Sequence, residues 1–235
     1  MSPILFYGVP EGCSFGSIVA LEWIGRPYRL CRVQMPEVVA SDAYARINPA
    51  RETPTLRTAD GRFVSESMAI LQHLAPLAVE QGLAFRQGTA DFDRLNQALA
   101  YLNTSYFNAY APLWYALEHE ADGAQGDMLR EYGRALVGKA HAHLERRLAD
   151  GPWLLGPAKT FADAYFAGIA RWADFHGVAD WSRYPRLAAL RARLADDPAV
   201  QYAWAVEHEE AHPGSGACEG HVSLDEMLRE LGAQR

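Results

Sequence analysis

With 235 residues, the chain can bury a sizeable core in one domain or two, and its 49% hydrophobic, 22% charged composition is that of an ordinary globular protein. Its 22 Lys and Arg stand against 29 Asp and Glu, a formal charge of −7 without a basic stripe or tail, which argues against a nucleic-acid or anionic-membrane partner. No apolar run approaches the roughly 20 residues of a membrane span, and the opening MSPILFYGVPEG lacks the basic and apolar regions of a signal peptide.

The first eighty residues carry a mixed pattern. Residues 3–7 (PILFY) form an apolar run suited to a buried strand, ended by Gly8 and Pro10. After Cys13, the residues Ile18, Val19, Leu21, Glu22 and Trp23 follow a helical pattern that Gly25 and Pro27 stop. Residues 28–33 (YRLCRV) alternate as a half-buried strand should, and 43–47 form a short helical piece halted before Asn48-Pro49. Residues 55–58 and 62–64 flank Ala59-Asp60-Gly61, a hairpin-type connector. Ser65-Glu66-Ser67 then opens a helix bearing Met68, Ile70, Leu71 and Leu74. The predicted order is β-α-β-α-β-β-α.

From Asp91 onward the pattern is helical without a convincing strand. Helices are predicted over 91–118, 127–149, 162–175, 184–195 and 199–209, with 76–88 as the linker. Gly214-Ser215-Gly216 introduces a last short helix, with Ser223 and Glu226 at capping-box spacing. Its apolar stripe of Leu224, Met227, Leu228 and Leu231 seeks a partner surface and is expected to shield the active cleft.

Cys13 lies where a loop after the first strand meets the first helix. Unpaired N–H groups and partial positive charge at a helix N-terminus stabilise a thiolate; a small buried apolar cysteine is the alternative. An odd, sparse set of three cysteines (Cys13, Cys31, Cys218) fits free thiols in a reducing compartment, hence the cytoplasm. At Thr53-Pro54, a cis bond would leave the Thr53 N–H and C=O open to a peptide-like ligand, whereas a trans proline would simply open a strand. The start of the helix at 65–67 can bind a ligand carboxylate, while Glu66 can bind an ammonium; helix capping, with Ser65 at the N-cap, explains the same residues. Thr160-Phe-Ala-Asp163 is a capping box with no chemistry of its own. His208, His212, Cys218 and His221 lack a zinc spacing, and His141 and His143 face different sides of a helix. Tyr101, Tyr106, Phe107, Tyr110, Trp114 and Tyr115 mark a core, or the lining of an apolar pocket.

Gly12-Cys13-Ser14, the Asn-Pro…Thr-Pro-Thr-Leu segment at 48–56, Ser-Glu-Ser at 65–67 and the Thr-x-x-Asp box at 160–163 occur in one order. Together they resemble a glutathione S-transferase over roughly residues 3 to 205. Cys13 after Pro10-Glu-Gly, and Ala170-Arg171-Trp172 after the box, resemble the bacterial cysteine-bearing beta class. The resemblance implies an α/β thioredoxin-like glutathione-binding domain at 1–78 and an all-α domain at 88–235 with a C-terminal extension. It further implies a pocket for a small apolar co-substrate, a homodimer and no metal. Carried over, Cys13 faces the glutathione sulfur, with Ser14 as a second candidate. Thr53, before cis-Pro54, pairs with the cysteinyl backbone, and Glu66 and Ser67 hold the γ-glutamyl end. Two positions depart from the class: residues 103–114 contain no histidine, and MPEVV at 35–39 stands where a lysine is usual. The expected activity is glutathione transfer to a small apolar electrophile, or exchange with a glutathionyl mixed disulfide, which a cysteine thiolate suits better. The alternative is a non-catalytic binding or regulatory protein on the same fold.

Overall fold

The computed structural model describes residues 1–148 and 151–233. By internal contacts the chain divides into two compact units, Met1–Gln81 with Asp196–Arg235, and Gly82–Ala195.

The first unit begins with β1 (Ile4–Val9), α1 (Phe15–Ile24), β2 (Tyr28–Gln34), α2 (Asp42–Ala45), β3 (Thr55–Arg57), β4 (Phe63–Ser65) and α3 (Ser67–Leu74), in the predicted order. β1 and β2 run parallel with Ile4 opposite Arg29, while β3 is antiparallel to β1 and β4 to β3. This is a thioredoxin-like arrangement. Gly25 ends α1 as predicted: its left-handed backbone (φ 67°) lets its N–H donate to the Leu21 carbonyl. One boundary differs from expectation. Ser65 completes β4, so the N-cap of α3 is Glu66.

The second unit is helical: α4 (Ala90–Tyr101), α5 (Ala111–Glu118), α6 (Gly123–Arg147), α7 (Phe161–Ala170), α8 (Trp172–Phe175) and α9 (Pro185–Ala195). The single helix predicted over 91–118 is broken. A π-helical segment, Leu102–Phe107, and a 3-10 turn, Asn108–Tyr110, separate α4 from α5. Pro112 has no N–H for the helical ladder, and the Asn108 side-chain amide donates to the Thr104 carbonyl (3.0 Å), competing for a backbone acceptor. The helix predicted over 162–175 is likewise divided, at Arg171. Ala149, the predicted end of the helix beginning at 127, lies outside the described residues. The predicted aromatic cluster is only partly core, and Tyr115 is 48% exposed. Tyr106 and Tyr110 are fully buried, and Phe107, Tyr110 and Trp114 set their rings about Trp172 at 5.3, 5.6 and 5.3 Å. His141 is buried against the Tyr106 hydroxyl (3.1 Å) while His143 stacks on Tyr101, so the two histidines do face different sides. Thr160 and Asp163 form the predicted capping box, and Asp163 also accepts from the Leu154 N–H (2.9 Å); burial pushes its carboxyl up to about 6.

The remainder of the chain returns to the first unit. α10 (Pro198–His208) packs on α1, and the Trp23 indole N–H donates to Asp197 at its N-cap (2.9 Å). The expectation that no strand follows Asp91 fails here. β5 (Cys218–His221) lies parallel to β2, with Tyr28 opposite Cys218, and among the described residues the sheet order is β4-β3-β1-β2-β5. CEGH carries no apolar alternation, so its pairing rests on the main chain: Tyr28 N–H to the Ala217 carbonyl (3.1 Å) and Val222 N–H to the Leu30 carbonyl (2.8 Å). Glu22, buried in α1, adds a tie by accepting from the Tyr28 hydroxyl (2.6 Å) and the Ser215 N–H (2.5 Å).

α11 (Leu224–Ala233) follows, its first turn capped by Ser223, which accepts from the Glu226 N–H (3.1 Å). Its apolar stripe packs on the sheet face made by Ile4, Phe6, Cys31 and Val33, with Met227 completely buried. The partner surface that the stripe was expected to seek is this sheet face. No helix among the described residues is long and apolar enough to cross a membrane.

Candidate functional site

Cys13 is half-buried on the loop between β1 and α1. Two glycines shape that loop. A Cβ on Gly12 would lie 2.1 Å from the Gly8 carbonyl oxygen, and one on Gly8 would lie 2.2 Å from Thr53 Oγ1 and 2.8 Å from the Met35 sulfur. Backbone and side chains from three parts of the sheet thus approach one another here. Ser14, grouped with Cys13 in the sequence reading, is fully buried at the N-cap of α1. Its Oγ accepts from the Gly8 N–H (2.9 Å), so it joins the start of the helix to the end of β1.

Thr53-Pro54 is cis, as are Val9-Pro10 and Met35-Pro36. The Thr53 carbonyl, expected to be open to a ligand, accepts from the Cys13 thiol at 3.1 Å. The Thr53 hydroxyl turns the other way and donates to the Met35 thioether (3.8 Å). The preceding loop is braced from below. Tyr44 Oη and Asn48 Nδ2 both donate to the Glu52 carbonyl, at 2.9 and 2.8 Å, and both bond Thr55 Oγ1. Burial pushes the Tyr44 phenol up to about 12, so it stays a donor through the physiological range.

Ser67 is buried at the start of α3, and its hydroxyl donates to the Cys13 carbonyl oxygen at 3.5 Å, near the limit of a hydrogen bond. Glu66 is exposed, with φ at 72°. That left-handed backbone is unusual for a residue with a side chain and carries strain of about 1–3 kcal/mol. Its carbonyl still begins the helix by accepting from the Ile70 N–H (2.9 Å).

Cys13, Thr53 and Ser67 are therefore joined by hydrogen bonds across a forty-residue and a fifty-four-residue separation. Pro54 follows Thr53, and Glu66 flanks Ser67 at the N-cap. Sequence reasoning missed Gly8, Tyr44 and, as a Thr53 contact, Met35. The apolar run ending at Gly8 and the Asn48-Pro49 turn were the available signals. A thiol, a cis-proline backbone edge and the start of a helix therefore lie together, groups whose chemistry suits sulfur, main-chain and carboxylate partners.

The histidines of the tail do other work. The His208 ring stacks on Trp204, His212 Nδ1 accepts from the Gly214 N–H (3.1 Å), and His221 Nε2 bonds the Tyr7 hydroxyl (3.0 Å). Among the described residues, no group of three or more His, Cys, Asp or Glu is placed to hold a metal ion.

Residues 13–77 match the family model for the glutathione S-transferase N-terminal domain, and residues 106–198 match that for the C-terminal domain. The chain is 28% identical over 208 residues to the glutathione S-transferase GstA of Escherichia coli O157:H7, covering 86% of this chain and 98% of that one. A sphingomonad glutathione S-transferase solved in complex with glutathione is 28% identical, with a TM-score of 0.76 over 87% of this chain and 98% of its own. The bacterial beta class transferase of Sphingomonas chungbukensis is 26% identical, with a TM-score of 0.75 and coverage of 87% and 98%.

Proposed function

Since the chain is a member of the glutathione S-transferase superfamily, we propose that it is a glutathione-dependent enzyme whose reacting thiol is Cys13. The observation that carries this reading is the 3.1 Å contact between Cys13 Sγ and the Thr53 carbonyl, which sets the thiol at a backbone edge suited to a peptide. Support also comes from the sphingomonad relative, whose structure was determined with glutathione.

Glutathione lies extended along Thr53, its cysteinyl backbone pairing with that residue beside Pro54. Its γ-glutamyl carboxylate meets Ser67 and the start of α3, and its ammonium meets Glu66. Ser14 holds the loop that carries Cys13. The substrate class is a glutathionyl mixed disulfide. The Cys13 thiolate attacks the glutathionyl sulfur, the substrate's S–S bond breaks, and the leaving thiolate takes up a proton. A second glutathione thiolate then attacks the glutathionyl sulfur of the Cys13 adduct, which yields oxidised glutathione and restores Cys13. Direct transfer to a small apolar electrophile is the second reaction, with glutathione thiolate as the nucleophile and Cys13 only its neighbour. A homodimer belongs to the same proposal, and sedimentation tests it.

The test compares parent and Cys13→Ala on immobilised glutathione, then with a glutathionyl disulfide and an aryl halide. The expected result is retained binding with disulfide reduction lowered by at least about a hundredfold, a transition-state loss of about 2.7 kcal/mol. Equal disulfide reduction in the two proteins overturns the assignment of Cys13.

A further inference from the structure

A cavity of about 630 Å³ opens within the first unit, between the sheet, α10 and the loop that follows it. Its size is that of a small-molecule site. Tyr7, Arg32 and His221 contribute from β1, β2 and β5, Tyr202 and Val206 from α10, and His212 from the loop.

It is separate from the site at Cys13. Side chains alternate along a strand, and the missing Cβ of Gly8 points at Thr53 and Met35, so Tyr7 points to the other face of the sheet. Neither Cys13, Thr53, Glu66 nor Ser67 lines the cavity.

Arg32 is held in place. Its Nη1 donates to the carbonyls of Val206 (3.3 Å) and Glu207 (3.1 Å) in the last turn of α10, which pins the guanidinium in one orientation. The guanidinium also hydrogen-bonds the Tyr7 hydroxyl, but its carboxylate partner is loosely held. Its Nε meets the Glu209 carboxylate only at 3.7 Å, beyond hydrogen-bond length, and the Glu209 side chain is 75% exposed. Glu209 is the C-terminal cap of α10 with φ at 58°, a left-handed position that glycine fills without strain. What glutamate adds there is a carboxylate beside Arg32.

The rest of the lining suits the remainder of such a ligand. Tyr202 and Val206 supply an apolar wall. The Tyr7 hydroxyl is oriented by His221 (3.0 Å), and His212, which accepts the Gly214 N–H at Nδ1, can donate from Nε2.

We propose that this cavity binds a small aromatic carboxylate, whose carboxylate takes the place of Glu209 on Arg32 while its ring packs on Tyr202 and Val206. Glu209 serves as the resident stand-in, loosely held and easily displaced. The site works independently of glutathione.

Calorimetry with 2-naphthoate and the neutral 2-naphthamide tests this on the full chain saturated with S-methylglutathione. The acid binds one to one, and the amide at least about tenfold more weakly, a difference of about 1.4 kcal/mol. Glu209→Gly, which removes the competing carboxylate, tightens naphthoate at least about threefold. Val206→Trp, which fills the cavity and keeps the backbone carbonyl that Arg32 bonds, abolishes binding; Arg32→Gln does the same, with the fold of both variants checked by circular dichroism. Should Arg32→Gln fail to fold, Val206→Trp carries the test. The proposal is overturned by any of three results: no binding to the parent, equal binding of acid and amide, or unchanged binding to Val206→Trp. Binding of naphthoate only when S-methylglutathione is absent assigns it to the Cys13 site and equally overturns the proposal.

Discussion

The Cys13 thiol donates to the carbonyl oxygen of Thr53 across 3.1 Å, so the sulfur and the backbone edge expected to hold a peptide ligand form one local unit. On the proposed reading, a disulfide bound along Thr53 meets Cys13 first. Brief exposure to oxidised glutathione, followed by mass-spectrometric mapping, is expected to modify Cys13 faster than Cys218. Cys31 should stay unmodified, because complete burial pushes its thiol up to about 12 and excludes the reagent. Equal rates at Cys13 and Cys218, with Cys13→Ser as control, would remove Cys13 from the chemistry.

Glu66 separates stability from binding in a single residue. Glycine relieves the strain of its φ of 72°, so Glu66→Gly should be more stable than Glu66→Ala by about 1 kcal/mol. Both should bind glutathione more weakly than the parent, since both lack the carboxylate, by about 1.5–3 kcal/mol. Urea unfolding and calorimetry on the three proteins read the two effects apart. Parent-like affinity in both variants would take Glu66 out of the site.

Much of this was legible in the sequence, and the exceptions have physical causes. The strand–helix order of the first seventy residues follows from apolar runs punctuated by Gly25, Pro27 and Asn48-Pro49, which act locally. Cys13, Thr53 and Ser67 were each identifiable, but not the hydrogen bonds among them, because their approach is set by β1, β3 and α3 together. β5 was illegible: Cys218-Glu219-Gly220-His221 has no strand pattern, and it pairs because β2 offers it an edge. The π-helical segment at Leu102–Phe107 was hidden for a local reason. Asn108 competes for a carbonyl that only the folded helix presents.

His141 makes the helical unit sensitive to acid. Burial first, and then the charge of Arg191, hold its pKa at about 4 against an ordinary 6.5. The unfolded chain therefore takes up a proton before the native state does. The His141 contribution to stability is full above pH 6.5 and is lost as pH falls towards 4, by about 3 kcal/mol, while buried Asp163, raised to about 6, acts in the opposite direction. Urea unfolding of the parent and His141→Phe at pH 7.5, 5.5 and 4.5 should show the parent losing about that much stability relative to the variant, because the opposing titration of Asp163 is common to both. An identical pH dependence in the two proteins would exclude His141 as its source.

Met227 anchors the tail helix. It is completely buried among Ile4, Phe6, Cys31 and Val33, and the neighbouring Glu230 pairs with the buried Arg57 at 2.8 Å. Met227→Ala should cost about 2–4 kcal/mol through lost burial and the cavity left behind. Denaturant midpoints measure this directly, and a change below about 0.5 kcal/mol would mean that α11 does not hold the sheet face.

β5 and α11 also impose an order on the making of the protein. On the ribosome, β1 through α3 emerge early and can associate, yet the free edge of β2 waits for a strand synthesised roughly 180 residues later. Until then the chain presents an unpaired strand edge and an uncovered apolar sheet face, the surfaces that recruit another nascent chain. Translation of the intervening helices, at about 5–20 residues per second, keeps that window open for on the order of ten seconds or more. The tail is thus the piece that ends the molecule's exposure to its neighbours.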